Sequence, residues 1–530
     1  MSAWSPLRYR VYRVMWIALL ASNVGTWMQA VGAAWLMVEL HASPAIVALV
    51  QTATYLPTVV VGVAAGAVAD LVERRRLLLI TQGSMLVAAG GLTVLAALDA
   101  VTPMLLLAFT FALGLGATFN FPAWQAIQPD LVPPNELKQA VTLGGANLNI
   151  GRAIGPAVGG LLIAAAGAWL VFALNAASFA FVLVVLWRWK RPVDEDVGPA
   201  EHFAGAIRAG IRYAMFSHHL HGVLVRSFAF GVASAGYMSL LPVYASRELG
   251  WGSGGLGILF ASMGIGAVTT AAVIPTIRTR LSADGVFAVG SALVAAGLLA
   301  LAALHHPVAA VAISFVIGLG WLFCLSTVNV ASQEVLPGWV RARGLALYLT
   351  AISGGIALGS ALWGRLADST GVPVAYVWGA VTIVGTLALA WRWRFDHIDE
   401  VDLRPAPMAA PEARLVPSEN SDSPALVVVA YEVREEAEDD FLRALRLVGR
   451  VRRRTGASDW SVYRDADKPC RFVETFVLPS WDEHLRQHQR RTVTDQGLQE
   501  DLREYLREGT APTAKHFVAP PRPAPRLWLR

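Results

Sequence analysis

Polar and charged residues fall in short clusters along this chain, separated by apolar runs of about twenty residues, enough for a helix to cross some 30 Å of hydrocarbon. Breaking the chain at those clusters predicts twelve spans, near 14–38, 44–68, 77–98, 102–126, 137–165, 168–187, 222–245, 254–276, 285–304, 307–331, 342–365 and 373–393. The first run follows Arg8, Arg10 and Arg13, lacks a small-residue cleavage pattern and is too long for a signal peptide. It therefore reads as a span. A polar linker, 188–221, with Asp194, Glu195 and Asp196, divides the spans into halves at 1–187 and 222–395. Beyond Arg394 the pattern changes. Residues 396–424 hold prolines 405, 407, 411, 417 and 424 among polar residues and read as a second linker.

Residues 425–518 return to short alternating runs. "ALVVVAYEV" predicts a strand and 436–454 an amphipathic helix. "DWSVYRD" and "CRFVETFVL" predict a hairpin around "ADKP", "SWDEHLRQHQRR" a second helix and "KHFV" a last strand. That β-α-β-β-α-β order is the ferredoxin-like one. A Pro- and Arg-rich tail, 519–530, follows. The predicted fold is thus an all-α membrane domain of twelve helices with a small C-terminal α+β domain.

Composition agrees with the pattern. The chain is 55% hydrophobic and 15% charged, where soluble domains carry about 25% charge. Many of the 18 Trp lie near span ends, as Trp16, Trp187, Trp189, Trp391 and Trp393 do, suiting interfacial belts. The sequence pI of about 9.3 could point to nucleic acid, but no basic stripe with interleaved aromatics exists. The basic residues instead sort by loop. With the N-terminus inside, the inner loops hold Arg8, Arg10, Arg13, Arg74, Arg75, Arg76, Lys138, Arg188, Arg278, Arg280, Arg341, Arg343, Arg392 and others, the outer ones only Arg247 and Arg365. This asymmetry predicts cytoplasmic termini. Of two cysteines, Cys324 falls in a span and Cys470 in the tail, so no intrachain disulfide is expected.

The halves repeat. "FALGLGATFNFPAWQAIQPDLVP" (Phe111 to Pro133) aligns with "FVIGLGWLFCLSTVNVASQEVLP" (Phe315 to Pro337) at a constant offset of 204, pairing Gly114 with Gly318, Gly116 with Gly320 and Asp130 with Glu334. Trp27 and Met28 answer Tyr237 and Met238. Two parallel six-helix repeats imply a transporter that rocks about a central site.

The turn after the second span, "GAVADLVERRR" (Gly66 to Arg76), resembles the major facilitator superfamily motif G-x-L-A-D-R-x-G-R-R/K. Gly66, Ala69, Asp70, Arg74 and Arg75 match, whereas Val68, Leu71 and Glu73 depart from it. The resemblance implies the major facilitator fold and a conformational latch: Gly66, Asp70, Arg74, Arg75 and Arg76 on one side, Arg residues such as Arg341 and Arg343 across the inner face. Plain positive-inside anchoring is the other reading. "GRLADSTG" (Gly364 to Gly371) looks like the same motif, but it falls outside, and the repeat aligns it with the end of the fifth span.

In the fifth span, Gly144, Gly151, Gly155, Pro156, Gly159 and Gly160 fill every position of the exporter motif G-x6-G-x3-G-P-x2-G-G. Positions 144, 148, 151, 155 and 159 make one ridge, against which another helix can close, and Pro156 weakens the helix locally. Arg152 lies about 100° off that ridge and within about 60° of Asn149. An arginine facing lipid costs at least about 2.5–3.5 kcal/mol, so Arg152 should face the bundle interior. There it either meets an anionic or hydrogen-bonding cargo or donates to neighbouring helices. Asn149, Asn23, Gln29, Gln51, Asn120, Tyr237 and Asn329 are further candidates to line the cavity, along with Tyr55, Gln125, Asn147 and Asn175. No Asp or Glu lies mid-span, so the coupling ion stays open.

Span organisation and tail together resemble the transmembrane secretion effectors, the exporter branch that includes enterobactin-type siderophore exporters. This implies a bacterial inner-membrane protein that expels a small hydrophobic or siderophore-like molecule and is not an enzyme. An uptake permease and a membrane-anchored oxidoreductase are the rival readings. Residues 425–518 resemble antibiotic-biosynthesis monooxygenases, with a dimerising or regulatory role favoured over catalysis. His484 and His488, at i and i+4, have no apparent third metal ligand and are expected on a solvated helix face. No cofactor, metal or nucleic-acid partner is expected.

Overall fold

A computed structural model of the chain describes residues 4–189, 203–395, 402–406 and 423–520. The acidic run 194–196, most of 396–424 and the end of the tail lie outside the described residues. The chain forms two compact units. One comprises 1–203, 222–332 and 345–396; the other comprises 204–221, 333–344 and 397–530.

The first unit holds the membrane helices. Among the described residues, twelve helices are long and apolar enough to cross a bilayer. They are α1 (Arg10–Glu39), α2 (Pro44–Leu71), α3 (Arg74–Ala97), α4 (Pro103–Ile127), α5 (Leu137–Ala166) and α6 (Ala168–Arg188), then α8 (His218–Val243), α9 (Ser253–Arg278), α10 (Ala283–Ala303), α11 (Pro307–Glu334), α12 (Arg341–Thr370) and α13 (Val372–Gly385), the last extended to Trp391 by a 3-10 helix. Between the two sets of six lies α7 (Phe203–Phe216), a helix inside the stretch expected to be a polar linker. Caps mark several starts. Thr102 accepts from the Leu105 amide, and Glu73, where the superfamily motif has glycine, accepts from the amides of Arg75 and Arg76 to begin α3.

The repeat seen in the sequence recurs in the packing. Gly114 of α4 abuts α2 at Thr54, and Gly116 abuts α3 at Met85. Their counterparts at the offset of 204, Gly318 and Gly320 of α11, abut α9 at Met263 and α10 at Gly290. Gly167, between α5 and α6, has φ 85°, and Gly371, between α12 and α13, has φ 92°. Both tight turns need a residue without Cβ. Large apolar side chains such as Val60, Val87, Leu161 and Trp391 stand exposed around the helices, which a hydrocarbon surround explains and water would not.

The second unit contains a four-stranded antiparallel sheet of β1 (Ala425–Glu432), β2 (Ser458–Arg464), β3 (Arg471–Leu478) and β4 (Thr513–Val518), in the order β2-β3-β1-β4. Helices α14 (Glu438–Thr455), α15 (Trp481–Gln489) and α16 (Val493–Asp501) complete it. The element order is the expected one with α16 added. Val427, Val429 and Tyr431 of β1 and Phe472, Phe476 and Leu478 of β3 bury one sheet face against Phe441, Leu445 and Val448 of α14. Within that face Glu474 is fully buried. It accepts from the Tyr431 hydroxyl at 2.9 Å, Trp460 Nε1 at 2.8 Å and Arg452 Nε at 3.3 Å. Three donors satisfy the hydrogen-bonding capacity that a buried carboxylate cannot fill with water.

One expectation is corrected here. His484 is buried, not solvated: its ring lies 4.8 Å from those of His488 and His516 and 5.1 Å from Trp481. Strand β4 brings His516 opposite Val427, on the face that α15 covers. No group of three metal-ligating side chains is gathered to hold an ion among the described residues.

Candidate functional site

The glycine ridge of α5 packs on α1. A Cβ at Gly151 would meet Asn23 Cβ at 2.8 Å, at Gly155 Trp27 Cβ at 2.6 Å and at Gly159 Met28 Cα at 3.0 Å. Gly144 sits at 3.5 Å from Gln128 Nε2. The ridge thus lets two backbones approach where any side chain would hold them apart.

Gly160, the next residue, faces elsewhere. A Cβ there would lie 2.6 Å from Gly257 Cα and 2.7 Å from the Ser253 carbonyl, both on α9 of the other half. Its counterpart by the repeat, Gly364 of α12, does the same toward the first half: a Cβ would meet Ala48 Cβ at 2.5 Å and Ala45 Cα at 3.2 Å on α2. The Thr52 hydroxyl adds a bond to the Ala357 carbonyl at 2.8 Å. The second string that looked like the latch motif therefore begins with a residue of the contact between halves. Both crossings lie at the helix ends remote from the N-terminal end of α1.

Deeper in the same bundle lies Arg152. Its guanidinium carbon stands 5.3 Å from the ring of Trp27, on α1, and 4.8 Å from that of Trp321, on α11. One ring comes from each half. Tyr55 and Tyr348 lie near it, and its Nε has no hydrogen-bond partner. No carboxylate pairs with it among the described residues. The contrast with Arg226 is direct. Arg226, in α8, is more deeply buried, and it pairs with Asp284, donates to the Trp393 carbonyl at 3.1 Å and lies 3.6 Å from the Phe395 ring. Sequence reasoning passes over Arg226, whose charge the structure pairs with Asp284. Cation–π contacts are worth about 0.5–2 kcal/mol each, so the two indoles offset part of what burying Arg152 costs and leave its charge unneutralised.

The other candidates divide. Asn23 donates to Asn147 at 2.8 Å, Asn147 donates to the Trp16 carbonyl, and Asn175 donates to Gln29. Asn120 accepts from Gln82 at 3.1 Å and from Thr81. These five, Gln29 included, tie helices of one half together. Tyr237 is buried beside Ser314. Asn149 is exposed, Gln51 half-buried, and Asn329 bonds Tyr348, one of the tyrosines near Arg152. Trp321 was not anticipated; a tryptophan far from either end of its run was the available signal.

At the expected latch, the basic residues bond within the first half. Arg74 donates to the Ala126 carbonyl at 2.9 Å and lies 3.9 Å from Asp130, while Arg75 donates to the carbonyls of Leu186 and Trp187, each at 2.9 Å. Arg76 is exposed, and the Asp70 side chain lies outside what is described. Arg341 and Arg343 belong to, or border, the segment 333–344 of the second unit, where Arg343 lies against Gly210.

Compared with known proteins, residues 1–524 match the family described as transmembrane secretion effector. The chain belongs to that family. Among relatives of the transmembrane secretion effectors, a staphyloferrin A transporter of Staphylococcus aureus is 25% identical over 368 residues, covering 69% of this chain and 91% of the relative. An enterobactin exporter of Salmonella typhimurium is 29% identical over 337 residues, 61% of this chain and 78% of the relative. Of solved structures, an inward-facing bacterial homologue of the human lysosomal transporter Spinster aligns with TM-score 0.60 at 14% identity, covering 76% of this chain and 99% of that one. This likeness shows the fold. The transmembrane secretion effector described here is a multi-pass membrane transporter of the major facilitator type, with siderophore and drug exporters among its relatives.

Proposed function

We propose that this protein exports a small anionic, siderophore-like molecule across a bacterial inner membrane by alternating access, and that Arg152 receives the cargo. The observation that carries the reading is a half-buried guanidinium held by one indole from each half, with no carboxylate to neutralise it among the described residues. Such a group attracts an anion, and it touches both bodies whose relative motion must follow binding. The relatives named for staphyloferrin A and enterobactin support that cargo class. With both termini cytoplasmic, the Gly160–Gly257 and Gly364–Ala48 crossings close the outer side, so the described state opens inward. Gly144 to Gly160 act as the hinge-side packing of export. Asp70 serves as a latch in the opposite state, when Arg341 and Arg343 approach it. Residues 425–518, whose strand order supports the ferredoxin-like arrangement, act as an accessory domain without enzymatic work.

Arg152→Ala and Arg152→Lys test the cargo role, with enterobactin and staphyloferrin A as probes of efflux from loaded cells. At normal membrane levels Arg152→Ala should lose about tenfold or more in efflux of at least one probe, the equivalent of about 1.4 kcal/mol, and Arg152→Lys should retain part of it. Undiminished efflux of both probes in both variants would sink the assignment.

A further inference from the structure

The second unit is more than the β-sheet domain. It also contains 204–221, which carries α7 and leads into α8, and 333–344, the turn that joins α11 to α12. Within the unit these three pieces meet around one carboxylate. Glu483, on α15, lies 3.7 Å from Arg212 of α7 and 2.5 Å from Arg490 at the end of α15. Arg212 donates in addition to the Gly456 carbonyl at 2.8 Å. Arg490 stacks 4.7 Å from the Trp339 ring, and Trp339 meets Tyr213 of α7 edge-on at 5.7 Å. Arg454 of α14 lies 5.5 Å from the Tyr213 ring, and Arg453 lies 5.6 Å from that of Phe216. Finally the Tyr213 hydroxyl donates to the Val335 carbonyl at 2.9 Å.

From this network we infer that the C-terminal domain is a clamp: it binds the helix between the two halves and the α11–α12 turn as one body, and its release sets the pace of transport. The occupant of the domain's arginine-rich face is thus a segment of the same chain. Three observations converge. The face carries Arg453, Arg454 and Arg490, and the partner segment offers the aromatic rings Tyr213, Phe216 and Trp339 that such guanidinium groups stack on. Arg212, Arg490 and Glu483 are largely withdrawn from water, with side-chain exposures of 14%, 6% and 13%. At such exposure, removing one partner leaves a charge stranded and undoes the pairing far more than at a surface bridge. Helix α7, lastly, is held at successive positions: Gly210 lies against Arg343, Arg212 on Glu483, Tyr213 on Trp339. An element that leads into a span cannot move freely while so many of its residues are held.

The test uses the full chain. Arg212→Ala and Trp339→Ala each remove one side of the clamp, and neither residue belongs to the core of the sheet domain. Hydrogen exchange of the α7 amides should speed by about tenfold or more in both variants, while the amides of β1 and β3 keep their protection. Enterobactin efflux, at equal membrane levels, should rise by about threefold as the restraint is lifted. Unchanged α7 exchange in both variants overturns the clamp. Faster exchange with unchanged or lower efflux overturns its control of transport. The efflux arm rests on the export reading; the exchange arm does not, so a chain that moves no enterobactin at all counts against that reading and leaves the clamp to be decided by exchange.

Discussion

At the residue scale, His484 shows how a polar position becomes a buried one. Burial, then the neighbouring His516 and Arg491, push its imidazole down to about 4, and burial with Arg491 and His484 pushes His488 to about 3. Both stand below the ordinary value of about 6.5 for the unfolded chain. The unfolded state therefore binds more protons between those values, and stability conferred by the neutral rings is complete above pH 6.5 and lost as pH falls toward 4. Exchange protection of β1 and β3 in the full chain should accordingly weaken between pH 7 and 4, and His484→Leu should flatten that slope. An equal slope in wild type and variant would contradict it. The sequence hid this because "SWDEHLRQHQRR" offers Trp481 and Leu485 as its only apolar residues, and its histidines read as part of the polar remainder. What buries His484 is the pairing of β4 beside β1, a contact some thirty residues away in the chain that no local pattern announces. The sequence did show Arg152 as out of place in a span, since its surroundings are local and apolar; its two tryptophans come from distant helices.

At the element scale, two adjacent glycines of α5 serve two different neighbours, Gly159 against α1 and Gly160 against α9. A side chain at 160 would meet backbone, which cannot swing away as a side-chain end can. Gly160→Val should therefore pry apart α5 and α9, at a cost of about 1–3 kcal/mol for overpacking. With Cys470 replaced by Ser, a cysteine introduced at the buried Ser253 should then react roughly tenfold faster with a membrane-impermeant maleimide, a shift worth about 1.4 kcal/mol. No gain in labelling would refute the role of Gly160 as a contact between halves. The ridge itself was legible, because helical spacing puts glycines on one stripe. Its partners were not, because spacing names a face and not what lies on it. Helix α7 was missed for a related reason: its cover comes from α14, α15 and the α11–α12 turn, so its aromatic residues looked like stray members of a linker.

At the scale of the molecule, the twelve helices and their repeat were readable because a bilayer imposes length and sign rules on each segment separately. The offset of 204 that pairs Gly114 with Gly318 also pairs Gly160 with Gly364, the two residues that join the halves. Those same rules predict sidedness. In intact cells, cysteines placed at Asp99 and Asp368 should label with an impermeant reagent, and cysteines at Arg76 and Arg450 only after the membrane is breached. The opposite pattern would reverse the assigned orientation. The clamp lies beyond such rules, since it depends on which soluble surface meets which turn.

The clamp also orders the making of the protein. A chain emerges from its N-terminus, so α7 is finished before the last six spans exist, and the domain that covers it is made last of all. Until then Arg212 has neither Gly456 nor Glu483 to bond and Tyr213 has no Trp339 beside it. Synthesis of residues 425–518 is thereby the event that covers α7, and a product that stops before them leaves its aromatic face bare.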